Sequence, residues 1–397
     1  MPPVPPPDAA ARLRGVASSP VREILALTQQ PGVISFAGGL PAPELFDHSG
    51  LREAFQAALT DDSARTSLQY STTEGDPRLR EQLATLLTQR GLDTSAEEVL
   101  ITAGSQQALT LITTALLDPG SVVLVEEPSY LAALQSFALA GARVVPVRCD
   151  EDGLDPDAVA QAAAEHKPVA LYTIPTFQNP TGRTLGAERR AAIAQAAADH
   201  GFWIIEDDPY GELRYSGHAE LPLGAFDAAA DRTISMSSLS KVLAPGLRIG
   251  WLKTPASLRS ALVVAKQAAD LHTSTITQAA AAHWFESGDW AALVAKLRAE
   301  YGKRRDTLLG GLADALPDGA TWNSPDGGMF IWVNLPDGYD ADKLLEQALA
   351  HDVAFVPGWP FFAGEPDRAT LRLSFTGHPA EELAEGLDRL AVALGKF

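Results

Sequence analysis

Seven short apolar runs, set apart by Ala-rich stretches, constrain this chain more than any other feature. They are Val99–Ile101, Val122–Glu126, Val144–Val147, Val169–Ile174, Phe202–Glu206, Thr233–Met236 and Ile249–Leu252. Strands that read as near-continuous apolar runs are covered on both faces. Helices between them imply right-handed crossovers and a mostly parallel sheet, so the fold class is α/β. Leu79, Leu83, Leu86 and Leu87 fall at helical spacing, and Gly91 ends that helix. From about residue 291 the texture changes. A long helix, Ala292–Leu309, precedes alternating strands at 329–333, 353–356 and 370–375, and a helix over Glu381–Leu394 closes the chain. The expected organisation is a tail, a mobile helix and a small-domain part over 1–50, a large domain over 51–290, and a smaller α+β domain over 291–397.

The length of 397 residues suffices for a large core divided between two domains. A formal net charge of −19 argues against binding nucleic acid or an anionic membrane through bulk charge. The single cysteine, Cys149, excludes an internal disulfide framework and fits a reducing cytoplasm, the expected location. The eight histidines show no metal-ligand spacing. The opening MPPVPPPDAA lacks the basic and apolar regions of a signal peptide, and a disordered or polyproline tail is expected there. No apolar run approaches the roughly 18 residues that span a bilayer. Ser19 is an expected N-cap and Pro20 a first helical residue, with Val21, Ile24, Leu25 and Leu27 on the apolar side. That helix is expected to pack on the smaller domain or to lie across the cleft.

In an open parallel sheet, ligands sit at the carboxyl ends of strands. The residues that follow each run are therefore the candidates. TAGSQQAL (102–109) is a glycine turn opening a helix, which is either a plain turn or an anion site. EPSY ends on Tyr130, a core tyrosine or a ring-stacking one. PTFQNPTG (175–182) carries Asn179, as turn chemistry or as an amide donor. DDPY (207–210) offers Asp207, as a cap or as the partner of a cation, and the phenol of Tyr210. SSLSKVLAPGLRIGW (237–251) holds Ser238, Ser240, Lys241 and Arg248. Burial lowers the pKa of a lysine and makes it a nucleophile toward carbonyls. Arg248 suits a dianion or a salt bridge at the sheet edge. In TLRLSF, Arg372 sits between two leucines and needs a carboxylate from a side chain or a substrate.

A phosphate cradle, an aromatic stack, a carboxylate for a ring nitrogen, two donors for a ring oxygen and one lysine together describe a pyridoxal phosphate site. The chain resembles the fold-type-I, class I/II aminotransferases, and within them the 2-aminoadipate aminotransferase group, known for lysine biosynthesis and broad substrate range. The matching runs include SFAGGLPAPELF, LQYSTTEGDPRLR, IPTFQNPTG, EDDPYGEL, SLSKVLAPGLRIGW, PDGGMF and TLRLSF, extending from about residue 18 to 376.

The resemblance implies the following roles. Lys241 links to the cofactor as a Schiff base and shuttles the proton. Asp207 keeps the pyridine nitrogen protonated. Asn179 and Tyr210 hold the ring hydroxyl, and Tyr130 stacks on the ring. Ser105, Gln106, Ser238, Ser240 and Arg248 cradle the phosphate. Tyr70 reaches the phosphate of a neighbouring subunit, which implies a two-fold homodimer, and Thr273–Thr275 also reaches that interface. Arg372 clamps the substrate α-carboxylate with help from Asn179 and the Gly39 backbone. Arg22, with Ser19 nearby, binds the distal carboxylate of an acidic substrate. The implied reaction moves an amino group between an L-amino acid (2-aminoadipate, glutamate, leucine or an aromatic) and a 2-oxo acid such as 2-oxoglutarate. Decarboxylation and β-elimination use the same fold and cofactor. A regulator would need a DNA-binding domain ahead of the matching region.

Overall fold

The computed structural model describes residues 10–13, Pro20, Ile24 and 32–395. Ser19, Arg22 and most of the expected N-terminal helix lie outside the described residues.

The first strand is β1 (Ile34–Ser35). The main sheet is built from β2 (Val99–Thr102), β3 (Val122–Glu127), β4 (Arg143–Asp150), β5 (Gly153–Leu154), β6 (Ala170–Thr173), β7 (Trp203–Asp207), β8 (Thr233–Ser238) and β9 (Gly250–Lys253). Its spatial order is β2-β9-β8-β7-β6-β3-β4-β5. The pairs β4·β3, β3·β6, β6·β7 and β7·β8 are parallel. β9 runs antiparallel to both β2 and β8, and β5 antiparallel to β4. The α/β class with a mostly parallel sheet is therefore as expected.

The central strands are buried along their length because alternate residues feed two cores. Leu124, Leu171 and Ile204 pack with Val159, Ile193 and Ala197 on one face. Val123, Val125, Tyr172, Ile205 and Ile234 pack with Leu109, Ile112 and Phe137 on the other. β4 runs on to Asp150, beyond the apolar stretch, because its polar end turns back into β5. β7 and β8 end on Asp207 and Ser238, so these two residues close their strands rather than follow them.

The remaining strands are β10 (Thr321–Trp322), β11 (Phe330–Asn334), β12 (Val353–Ala354), β13 (Val356–Pro357) and β14 (Thr370–Ser374). Four form an antiparallel sheet in the order β10-β11-β14-β13. The run expected as one strand over 353–356 is split: β12 pairs in parallel with β1, and β13 pairs with β14. A two-sided demand explains the break, since the N-terminal segment and β14 compete for the same stretch. The long helix is Trp290–Ala315, starting earlier than expected because Asp289 accepts a bond from Ala292 N as its N-cap. It continues through Gly311, where a Cβ would lie 2.6 Å from Leu387 Cδ1. The missing side chain lets the helix Ala380–Ala393 approach closely. Among the described residues, no helix is long and apolar enough to cross a membrane.

Candidate active site

The strands β3, β6, β7 and β8 bring their carboxyl ends to one crevice, and the loops after them supply its polar groups. Asp207 is fully buried at the end of β7. Its Oδ2 accepts a 2.8 Å bond from the Tyr172 hydroxyl, and its Oδ1 is buried with no partner among the described residues. Burial pushes its pKa up to about 7, with Asp208 adding to the rise and the Tyr172 bond and Lys241 opposing it. The two adjacent acids diverge. Asp208 turns away to Arg90 and accepts from Gly211 N, which closes a turn; no helix among the described residues starts there for either acid to cap.

Lys241 closes a short 3-10 turn, Leu239–Lys241, whose cap is a bond from Ser240 N to Ser238 Oγ. Its ammonium donates to Gly39 O over 2.8 Å. Burial lowers its pKa to about 8; Arg372 and Arg248 act the same way and Asp207 opposes them. Burial and a lowered pKa are what a lysine needs to act as a nucleophile toward a carbonyl.

One side of the crevice is built for an anion. Gly104 caps the helix Ser105–Leu116 at φ +84°, and the first-turn N–H groups of Ser105 and Gln106 have no intrahelical acceptor. Arg248 stands at φ +52° and donates to Ala103 O over 3.1 Å and to Pro245 O over 3.3 Å. Its partners are carbonyls, not the carboxylate of a sheet-edge salt bridge. Ser238 donates to Ser240 Oγ over 2.6 Å. The Gln106 side chain donates to Ser136 Oγ over 3.1 Å, so this residue offers the crevice its backbone.

Behind the Gly104 turn lies a group that the sequence did not reveal. Lys266 is fully buried and donates to Gln107 Oε1, Asp270 Oδ2 and Thr273 Oγ1 at 2.7–2.8 Å. Gln107 Oε1 also accepts from Ala103 N over 2.8 Å, which fixes the turn. Thr273 is thereby bonded within its own chain, and its hydroxyl also faces Ile101 O. Thr275 likewise donates to Ser67 O. Tyr70 does project outward: it is 78% exposed and sits edge-on to His272.

Asn179, in the loop after β6, and Arg372, on β14, meet. Asn179 Oδ1 accepts from Arg372 Nη1 over 2.7 Å, while its Nδ2 lies 3.5 Å from the Tyr210 hydroxyl. Arg372 also donates to Ala37 O over 2.9 Å. Its guanidinium lies 4.2 Å from the Phe330 ring centroid and 4.9 Å from that of Phe361. Its buried Nε has no partner among the described residues, and no side-chain carboxylate there pairs with it. Burial lowers its pKa to about 10. The Asn179 loop is anchored through Gln178, whose amide donates to Glu126 and to Pro128 O and accepts from Thr181. Tyr130 leads into the helix Leu131–Leu139, with burial raising its pKa to about 12.

Lys241, Asp207, Asn179, Tyr210 and Arg372 thus share one crevice with the Gly104 turn. Sequence reasoning missed Tyr172, Glu126, Lys266, Phe330 and Phe361. Only the matching registers of β6 and β7 bring Tyr172 to Asp207, since Tyr172 pairs with Ile205, two residues before the carboxylate and on its face.

This fold and site define a class of transferase, and the chain belongs to the aminotransferase class I and II family, whose profile matches residues 43–390. It is 42% identical over 383 residues to the aromatic-amino-acid aminotransferase 1 of Thermococcus litoralis, covering 95% of this chain and 91% of that one. It is also 42% identical over 383 residues to the 2-aminoadipate transaminase of Thermus thermophilus, covering 96% and 94%. The crystal structure of an α-aminoadipate aminotransferase from Thermus thermophilus, complexed with N-(5'-phosphopyridoxyl)-L-leucine, superposes with a TM-score of 0.90 at 39% identity, covering 97% of each chain.

Proposed function

We propose that the protein is a pyridoxal phosphate-dependent aminotransferase that moves an amino group from an L-amino acid to a 2-oxo acid. The observation that carries this reading is the convergence of Lys241, a buried Asp207 with a free Oδ1, and Arg372 with a free Nε in one crevice. The residues present fit the cofactor. The Gly104 turn with Arg248, Ser238 and Ser240 suits its phosphate, Asp207 Oδ1 its ring nitrogen, Asn179 and Tyr210 its ring hydroxyl, and Tyr130 its face. Bound there, it supplies the electron sink for negative charge at the substrate Cα.

The chain's own residues do the rest. Arg372, already aimed by Asn179 and Ala37, receives the α-carboxylate that donor and acceptor have in common. Lys241 Nζ, with its pKa near 8, takes the proton from Cα and returns it on the other side of the transfer. Asp207 holds a proton on the ring nitrogen. We assign the donors to 2-aminoadipate and glutamate, with leucine and aromatic amino acids as further substrates, and the acceptor to 2-oxoglutarate. The relatives named above support that range: one is named for an aromatic substrate, one for 2-aminoadipate, and one carries a leucine adduct. Arg22 as the ligand of a distal carboxylate rests on the resemblance alone, as does the homodimer in which Tyr70 serves the neighbouring subunit; the cytoplasmic location rests on the single cysteine.

A spectral half-reaction panel tests the reading. The cofactor-loaded protein absorbs visible light, borohydride fixes the cofactor to Lys241, and Lys241→Ala is colourless. Aminoadipate or glutamate bleaches the band, and 2-oxoglutarate restores it. A protein that stays colourless with the cofactor overturns the reading. Arg22→Ala lowers turnover of acidic donors about ten- to a hundred-fold and spares leucine, as the loss of a charged hydrogen bond requires. Equal losses for both donor types return Arg22 to a surface role.

A further inference from the structure

Tyr172 lies on β6 with no exposed surface, its ring edge-on to Phe137 at 5.7 Å. A buried tyrosine hydroxyl needs a partner, and most find a backbone carbonyl or a water. This one donates to the carboxylate of Asp207, on the oxygen that faces away from the free Oδ1. Tyr172 pairs with Ile205 across the parallel register, and Asp207 follows two residues on. The contact is thus a diagonal pair on one face of the sheet, held by backbone geometry at both ends.

We propose that Tyr172 is a positioning residue that turns Asp207 so that Oδ1 meets the cofactor's ring nitrogen, and that its hydrogen bond keeps the shared proton on that nitrogen. This inference rests on the aminotransferase reading. A hydrogen bond to an anion stabilises the anion and reduces its affinity for a proton. The effect matters because Asp207 is otherwise poorly placed to stay ionised. Burial drives its pKa upward, and Asp208 next to it in the chain, Glu126 near the end of β3 and the phenols of Tyr130 and Tyr210 lie around it. Lys241 and Tyr172 are the groups that favour its charged form. Without Tyr172 the proton moves from the ring nitrogen to Asp207, and the ring loses its positive charge. A ring without that charge holds a proton elsewhere on the same conjugated system to higher pH.

The test compares the wild-type holoenzyme with Tyr172→Phe, which keeps the ring and its packing on Phe137. The expected result is a rise of about 0.5 pH unit or more in the pH midpoint of the visible band. With it come a fall of about tenfold in kcat, a smaller change in KM, and an unaltered far-UV spectrum. Both proteins are also loaded with a cofactor analogue carrying carbon in place of the ring nitrogen, and the difference between them should then vanish. A Tyr172→Phe protein that binds cofactor with the wild-type midpoint overturns the inference, as does a difference that persists with the analogue. If Tyr172→Phe does not fold, 3-fluorotyrosine in place of Tyr172 supplies a stronger donor in the same shape. It must move the midpoint downward, and no movement or an upward one overturns the inference. A wild-type protein that never develops the band overturns the aminotransferase reading itself, so the two failures are distinct.

Discussion

Arg372 and Asn179, 193 residues apart in sequence, are joined by a 2.7 Å hydrogen bond from Nη1 to Oδ1. The bond ties the sheet that carries the arginine to the loop that follows β6. It leaves Asn179 Nδ2 facing the Tyr210 hydroxyl and Arg372 Nε without a partner among the described residues. The arginine is therefore set in place before any carboxylate arrives, between the faces of Phe330 and Phe361.

Substituting Arg372→Lys keeps the charge and loses the planar fork. Because the α-carboxylate is common to donor and acceptor, KM should rise for both, by about ten- to a hundred-fold for a charged hydrogen bond. Steady-state kinetics with each substrate varied in turn checks this. A rise confined to one of the two would remove Arg372 from the common site.

Gly104 stands at φ +84° and ψ 170°, a region open to glycine alone. A Cβ there would lie 2.3 Å from Arg248 Nη2. Gly104→Ala should cost about 1–3 kcal/mol in stability through backbone strain. Displacement of Arg248 should also weaken cofactor retention. Gly246→Ala is the control, since a Cβ at that position meets nothing within 4 Å. Urea melts and cofactor titration of both variants check the pair, and equal behaviour would show the turn to be tolerant.

Much of this site is readable from the chain because its residues lie where apolar runs stop. Lys241, Asn179 and Arg248 follow strands, while Asp207 and Ser238 prove to be the last residues of theirs, and all are polar letters against an apolar background. The supporting residues are hidden for the opposite reason. Tyr172 sits inside the run Val169–Ile174 and looks like any core aromatic, because a hydroxyl's partner on another strand depends on register. Lys266 looks like a solvated residue on an amphipathic helix, and only three-dimensional packing turns it inward. Phe330 and Phe361 read as core, and their cation partner is set by sheet pairing. The stretch 353–356 has strand composition throughout, yet two different strands claim its two halves.

Lys266→Met tests the group behind the Gly104 turn. It preserves the apolar stem and removes three donations, to Gln107, Asp270 and Thr273. Asp270 is partly exposed and regains water, so the cost should be near that of one charged hydrogen bond, about 2 kcal/mol. Gln107 then keeps only its donation from Nε2 to Asp270, and its hold on Ala103 N loosens. Cofactor affinity should fall along with stability. An unchanged urea midpoint would show that the buried ammonium contributes nothing.

The stability of the cofactor-free protein depends on pH through three buried groups. Asp207 and Glu126 are both fully buried, and burial raises the pKa of each to about 7, from ordinary values of 3.8 and 4.5. Between those values the folded chain holds protons that the unfolded chain has released. Stability therefore falls as pH rises from about 4 to 7, and the penalty is complete above 7. Lys241 works in a separate window. Its folded pKa of about 8 lies below its unfolded 10.5, so its contribution to stability rises with pH between those two values. Asp207→Asn removes one of the two carboxylates, so its effect should grow between pH 5 and pH 7.5, below most of the lysine's window. The variant should melt higher than wild type at pH 7.5, with a smaller difference at pH 5, while binding cofactor poorly. Scanning calorimetry of the two cofactor-free proteins at both pH values measures this. A variant less stable at pH 7.5 than at pH 5, relative to wild type, would mean that Asp207 is already satisfied in the folded chain. It would then not be a charge held in readiness for the ring nitrogen.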